Sequence, residues 1–311
     1  MLHQEGRLSV GDVYLVYAYA SAISTPLQAI VRQLQLLQSA GAALSRIQAL
    51  LEERPRVRWS TEATLMPPSA PPLELEGVTF SYPGEPPTLK DVTLRLSAGR
   101  TLGVAGRTGS GKTTLIRLLL RFQDPDRGAV RIGGVDLRRV AREDLRRRVG
   151  LVSQEAQLLH GTVRDNLTLF DGQVSDGRLV HALTEVGLGE WLASLPAGLD
   201  TPLAPGGRDL SAGQSQLLAA ARVFLRDPAV VVLDEASSRV DAATEERLHA
   251  AFGRLFSGRT GVVVAHRLST LREVDDIVVL DRGRIVEAAP RDELVANRGS
   301  RFAQLLEASV S

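Results

Sequence analysis

Apolar and polar positions divide the chain into two unlike parts. Residues 13–31 (VYLVYAYASAISTPLQAIV) form an uncharged run between Asp12 and Arg32. As a helix this run spans about 28 Å, close to the roughly 30 Å of a bilayer core. It is only moderately apolar, holding Tyr14, Tyr17, Tyr19, Pro26 and Gln28. It suits a membrane helix packed among others and equally a buried helix of a soluble protein. From Gln33 to Glu53 the period stays helical, with Leu36, Leu37, Ala40, Ala43, Leu44, Ile47 and Leu51 in register. Pro55, Pro67, Pro68, Pro71 and Pro72 then break regular structure. The pattern predicts a first domain at 1–55, a linker at 56–72 and a second domain at 73–311.

In the second domain the period changes. LELEGVTFSY (73–82) alternates like a half-buried strand. TLGVAG (101–106), VVVLDE (230–235) and GVVVAH (261–266) are continuous apolar runs, which predict buried parallel strands. Residues 174–226 read as largely helical, and 272–306 as short strands followed by an amphipathic helix. Strands alternating with helices predict an α/β sandwich with a mainly parallel sheet.

Composition narrows the chemistry. Apolar residues make up 44% of the chain and the net charge is +1. That permits a packed core and gives no electrostatic reason to expect a nucleic-acid partner. The absence of cysteine removes disulfides, thiolate metal sites and thiol catalysis. No cleavable signal peptide is evident at the N-terminus. Of the 37 basic residues only Lys90 and Lys112 are lysines, so each is conspicuous.

Lys112 lies in Gly106-Arg107-Thr108-Gly109-Ser110-Gly111-Lys112-Thr113, which matches G-x-x-x-x-G-K-[ST] between a predicted strand and a helix running to about Phe122. Glycines let the backbone fold into a nest of inward N–H groups, and the helix N-terminus adds its positive dipole end. Lys112 is expected to reach the β- and γ-phosphates of ATP, and the Thr113 hydroxyl to bind Mg2+. VVVLDE ends its strand with Asp234, a Mg2+ holder, and Glu235, placed to polarise the attacking water. His266 also ends an apolar strand, where ligands of open α/β sheets bind. A γ-phosphate contact is expected there.

LSAGQ (210–214), opening a helix about 100 residues after the loop and just before VVVLDE, completes an order that resembles the ATP-binding domain of ABC transporters over residues 73–311. That resemblance implies a phosphate-loop NTPase sandwich with an antiparallel β subdomain and a helical signature subdomain. Tyr82 in FSYPG resembles the aromatic that stacks on adenine, and Gln154 in LVSQE the residue that touches Mg2+ and the membrane domain. Ser211, Ala212, Gly213 and Gln214 occupy the signature that meets the γ-phosphate of an opposite subunit. Asp241 in SSRVD resembles the aspartate that communicates across the dimer, and His266 the switch histidine. Thr114 continues the phosphate loop. The sequence departs from the usual pattern at Ala212, where glycine is customary, at Ser215, where arginine is, and in LAPGGRD (203–209), which lacks an acidic pattern.

Gly6-Arg7-Leu8, Val10-Gly11-Asp12, Pro26-Leu27 and Arg46-Ile47 resemble the stretch along the last membrane helix of exporter half-transporters. The joint expectation is an ABC exporter motor that hydrolyses ATP with Mg2+. Its partners would be a second ATP-binding domain (homodimer or heterodimer) and the remaining membrane helices. It would sit at the cell membrane with the ATP-binding domain cytoplasmic, and it would bind no nucleic acid. On this reading most of the membrane domain precedes residue 1. A soluble ABC ATPase of DNA repair or translation is the rival class, but it calls for coiled-coil inserts or a tandem domain, which the sequence lacks.

Overall fold

The computed structural model describes residues 9–53, 55–59, 64–67, 69–153, 155–234, 242–265 and 268–310. They divide into two compact units, Met1–Pro55 and Arg56–Ser311.

The first unit is one helix, α1 (Val10–Glu52), which joins the two helical stretches read from the pattern and carries Pro26 inside it. Its start is a capping box: the Ser9 hydroxyl accepts from Asp12 N at 3.2 Å and the Asp12 carboxylate accepts from Ser9 N at 2.9 Å. Large apolar side chains are exposed along its whole length, from Tyr14 at 73% to Leu51 at 79%. Among the described residues no helix is both long and apolar enough to cross a membrane. The 13–31 run has the length, but its tyrosines, serines and Gln28 dilute its apolarity.

In the second unit the chain first lies against the domain it leads into. Arg58 O accepts from the buried Arg121 at 2.8 Å, and the Arg121 guanidinium stacks 4.3 Å from the Trp59 ring centroid. Met66 N donates to buried Asp144 at 2.7 Å, and Pro71 O accepts from Thr260 Oγ1 at 2.7 Å. The prolines exclude helix and sheet, and side chains of the domain satisfy the backbone instead.

From there the order is β1 (Leu73–Ser81), β2 (Pro87–Leu96), β3 (Thr101–Ala105), α2 (Lys112–Leu119), β4 (Arg127–Ile132), β5 (Val135–Asp136), α3 (Arg142–Arg148), β6 (Val149–Val152), β7 (Gly161–Thr162) and α4 (Val163–Thr168). Next come α5 (Asp176–Glu185), α6 (Gly189–Ser194), β8 (Pro202–Leu203), α7 (Ala212–Arg226), β9 (Val230–Asp234) and α8 (Ala242–Phe256). The chain closes with β10 (Thr260–Val264), β11 (Asp276–Asp281), β12 (Arg284–Pro290), α9 (Arg291–Ala296) and α10 (Arg301–Val310).

A six-stranded sheet, order β12-β11-β3-β10-β9-β6, is parallel except at β12, and an antiparallel sheet, order β2-β1-β4-β5, stands apart from it. Successive residues of the parallel strands enter two different cores. Leu102, Val104, Val230, Val232, Val262, Val264 and Val278 pack with α2 and the antiparallel sheet, whereas Ala105, Val231, Leu233, Val263 and Ile277 pack with α4–α8. Both faces are buried, which is why these strands read as unbroken apolar runs.

The loop's helix stops at Leu119, short of the predicted Phe122. Arg121 adopts φ 51°, and Phe122 N reaches back to Arg117 O at 2.8 Å, a 6→1 closure of the Schellman type. That left-handed residue is the same Arg121 that holds Arg58 and Trp59.

Gly103, in the middle of β3, leaves no room for a side chain. A Cβ there would lie 2.7 Å from Ile277 Cδ1 and 2.9 Å from both Leu271 Cδ2 and Val274 Cγ2. Gly103→Ala should overpack this seam by about 1–3 kcal/mol. Thermal denaturation should register that as a midpoint several degrees lower, and an unchanged midpoint would contradict the packing described.

Candidate active site

The loop joining β3 to α2 turns on three left-handed glycines, Gly106 (φ 149°), Gly109 (φ 80°) and Gly111 (φ 110°). Sterics demand two of them. A Cβ on Gly106 would approach Leu280 O to 2.3 Å, and one on Gly111 would approach Leu89 Cδ2 to 2.6 Å. Inside the turn Lys112, 4% exposed, folds its ammonium onto Gly106 O at 2.6 Å and Arg107 O at 3.1 Å. The Ser110 hydroxyl is buried beside it with no hydrogen-bond partner, and α2 begins at Gly111 without a side-chain cap. A buried cation, an unsatisfied hydroxyl and an uncapped helix start are the donors that an oxyanion requires. A small cavity of about 150 Å³ opens on Lys112 and Gly111, with Thr88, Thr108, Thr113 and Thr114 in its walls. A larger cleft of about 650 Å³ runs along the loop's other side, toward Arg282, Arg301 and Leu305.

The sheet brings the acidic partner to the same edge. In register across three strands, Asp234 of β9 faces Val264 of β10, which faces Val104 of β3. At about 4.8 Å per strand, the Asp234 backbone lies roughly 10 Å from the start of the loop. Asp234 is half-buried, and Thr113 is exposed on the first turn of α2. Tyr82 flanks the loop from the antiparallel sheet, with its hydroxyl 3.2 Å from Thr114 Oγ1.

The signature opens α7 with a capping box. Ser211 Oγ accepts from Gln214 N at 3.1 Å, and Gln214 Oε1 accepts from Ser211 N at 2.9 Å. Ser211 and Ala212 are exposed while Gly213 is buried. A Cβ on Gly213 would sit 2.0 Å from Thr244 Cγ2 in the first turn of α8, so this glycine also sets how closely α7 and α8 pack. Farther along α7, Arg222 donates to Gln157 O at 2.7 Å, to Asn166 Oδ1 at 2.9 Å and to Asn166 O. Burial holds its pKa below the ordinary arginine value, and the three acceptors offset the cost of the charge. Asn166 in turn bonds Leu159 and Thr162, so one knot ties the signature helix to the loop that follows β6.

Thus the structure gathers Tyr82, residues 106–114 and Asp234 at one edge, and it places residues 211–214 at the head of α7. Gln154, Glu235, Asp241 and His266 lie outside the described residues. Sequence reasoning missed Arg117, Asn166, Arg222 and Thr244. Only Arg222 announced itself, as a lone cation within the apolar stretch LLAAARVFL.

A phosphate-loop turn closing the first strand of a parallel sheet, with an acidic residue two strands away, defines a phosphate-loop NTPase. Residues 89–238 match the ABC transporter family model. YfiC of Bacillus subtilis, an uncharacterised ABC transporter ATP-binding protein, is 35% identical over 295 residues, 95% of this chain and 49% of that protein. The β-(1→2)glucan export ATP-binding/permease protein NdvA of Rhodopseudomonas palustris is 36% identical over 307 residues, 99% of this chain and 51% of its own length. The structure of a bacterial Atm1-family ABC exporter with ATP bound superposes with a TM-score of 0.79 at 28% identity, covering 98% of this chain and 53% of the other. The chain therefore belongs to the ABC transporter family, and it spans about half the length of the curated relatives it matches.

The close approach of α7 and α8 is testable. Gly213→Ala should destabilise the domain by about 1–3 kcal/mol through overpacking. Thr244→Ser, which deletes the opposing methyl, should restore most of the loss in the double variant. Equal melting temperatures of the single and double variants would show that Thr244 is not what Gly213 accommodates.

Proposed function

We propose that this domain binds ATP with Mg2+ at the loop of residues 106–114, hydrolyses it, and serves as the motor of a membrane exporter. The observation that carries the reading is the buried Ser110 hydroxyl without a partner beside an ammonium parked on its own loop. Lys112 is held only until a stronger acceptor arrives. A triphosphate would draw it from the carbonyls of Gly106 and Arg107 to the β- and γ-phosphate oxygens. The cavity there is smaller than a whole nucleotide requires, so it suits the phosphate end, with the base lying outside against the Tyr82 ring.

Thr113 and Asp234 would hold Mg2+, with Gln154 completing the set. Among the described residues no three acidic or imidazole groups cluster as a metal site, which fits an ion bound by one or two carboxylates together with substrate oxygens. When bound, it offsets the charge that develops on the transferring phosphoryl group. Glu235, next to Asp234 in the sequence, polarises the attacking water, and His266, two residues beyond β10 in the sequence, contacts the γ-phosphate.

Ser211, Ala212, Gly213, Gln214 and Asp241 act on the ATP of a second ATP-binding domain, from an identical or a related chain. The exposure of Ser211 and Ala212 supports this. So does the polarity of the cap: the Ser211 hydroxyl accepts from Gln214 N, which leaves its proton for a phosphate oxygen. We assign α1 to the permease part. Its length, its uncharged 13–31 run and its exposed apolar side chains support that assignment. Its polarity suits a helix packed among other membrane helices, not one standing alone in lipid. The machine would sit in the cell membrane with this domain in the cytoplasm. The molecules in the relatives' names differ, a β-(1→2)glucan for one and a fatty acid for another, as befits a domain that handles only ATP.

Lys112→Ala should abolish ATP binding in calorimetry, whereas Glu235→Gln should keep binding and lose turnover by orders of magnitude. Turnover at the unmodified rate in Glu235→Gln would remove that residue from the chemistry. The shared site predicts a rate per molecule that rises with protein concentration and falls in Ser211→Ala. A rate independent of concentration in a verified monomer would count against it.

A further inference from the structure

Tyr82 is held more firmly than an aromatic that only waits for a base would need to be. Its ring meets Phe80 edge to face, with centroids 5.0 Å apart and planes at 88°, and Phe80 is itself buried in the core. Its hydroxyl lies 3.2 Å from Thr114 Oγ1 and accepts from Arg117 Nη1 at 3.0 Å. The Arg117 guanidinium carbon stands 5.8 Å from the ring centroid. Arginine can only donate, so the Tyr82 oxygen accepts from Arg117, while in the contact with Thr114 either hydroxyl can donate. Thr114 is buried, and Arg117 is exposed one turn farther along the same face of α2.

We infer that Arg117, acting with Thr114 through the Tyr82 hydroxyl, is a positioning residue that fixes the base platform relative to the phosphate cradle and so sets nucleotide affinity. This rests on the ATP reading above. The first turn of α2 supplies Lys112 for the phosphates and Thr113 for Mg2+, and the next residues of the same helix clamp the base-stacking ring. A rigid helix thereby sets the spacing between the two ends of the ligand. Because the ring is immobilised before the nucleotide arrives, stacking forfeits little side-chain freedom. Phenylalanine at position 82 would offer the same face and lose the clamp.

The test uses the full chain with Mg2+ and two probes, ATP and inorganic triphosphate, titrated by calorimetry. Arg117→Ala and Tyr82→Phe should each weaken ATP about threefold to tenfold, the worth of one hydrogen bond. The double variant should be no weaker than Tyr82→Phe alone, because loss of the hydroxyl already removes the Arg117 hydrogen bond. Triphosphate affinity should stay unchanged throughout, and turnover at saturating ATP should stay unchanged in Arg117→Ala. Equal loss of ATP and triphosphate affinity in Arg117→Ala would mean that Arg117 merely attracts phosphate charge, and would overturn the proposal. Additive losses in the double variant, or an unchanged ATP affinity in Arg117→Ala, would overturn it as well. If the unmodified chain binds triphosphate but not ATP, the base platform falls while the cradle stands. If it binds neither, the ATP reading itself has failed.

Discussion

One constraint governs the nucleotide end of this molecule: a dense negative charge can be held only where donors are already fixed and already partly dehydrated. The turn between β3 and α2 satisfies it with backbone geometry. Gly106 and Gly111 hold backbone dihedrals that side chains resist, against Leu280 and Leu89, and that contortion concentrates the buried Lys112 ammonium and the Ser110 hydroxyl at a helix start. The rest of the domain is arranged about that turn. Two cores clamp the parallel strands from both faces, so their carboxyl ends stay in register, and the antiparallel sheet brings Tyr82 alongside.

What the sequence made legible follows from this. Runs such as VVVLD and TLGVA stand out because both faces of those strands are covered, so nothing polar interrupts them. The antiparallel partner β2 went unread although it alternates, because one face meets solvent and Lys90, Asp91 and Arg95 blur the signal. The loop was legible because its glycines are steric necessities. Overrunning the end of α2 had an equally physical cause: LLLRF keeps the helical period, and the bonds of Arg121 to nearby Asp124 and to distant Arg58 and Trp59 accompany the left-handed turn that ends it.

Meeting points between distant side chains were invisible for a different reason. Arg222 and Asn166 are separated by 56 residues, and Arg117 and Tyr82 by 35. No local pattern encodes such pairs. They emerge only when helices pack, yet they decide how firmly the signature helix is tied to the loop after β6 and how firmly the aromatic ring is held. Gly213 makes the same point from the other side, since its residue type was expected from the signature while its packing against Thr244 was not.

The scarcity of lysine gives the parked ammonium an additional meaning. Of 37 basic residues all but Lys90 and Lys112 are arginines, and guanidinium groups stay protonated and inert to reagents that acylate neutral amines. Lys112 is shielded within its loop and Lys90 is half-buried on β2. The folded domain therefore presents almost no reactive side-chain amine. Acylation at position 112 becomes a chemical reporter, on an almost silent background, of how often the loop lets go of its own lysine.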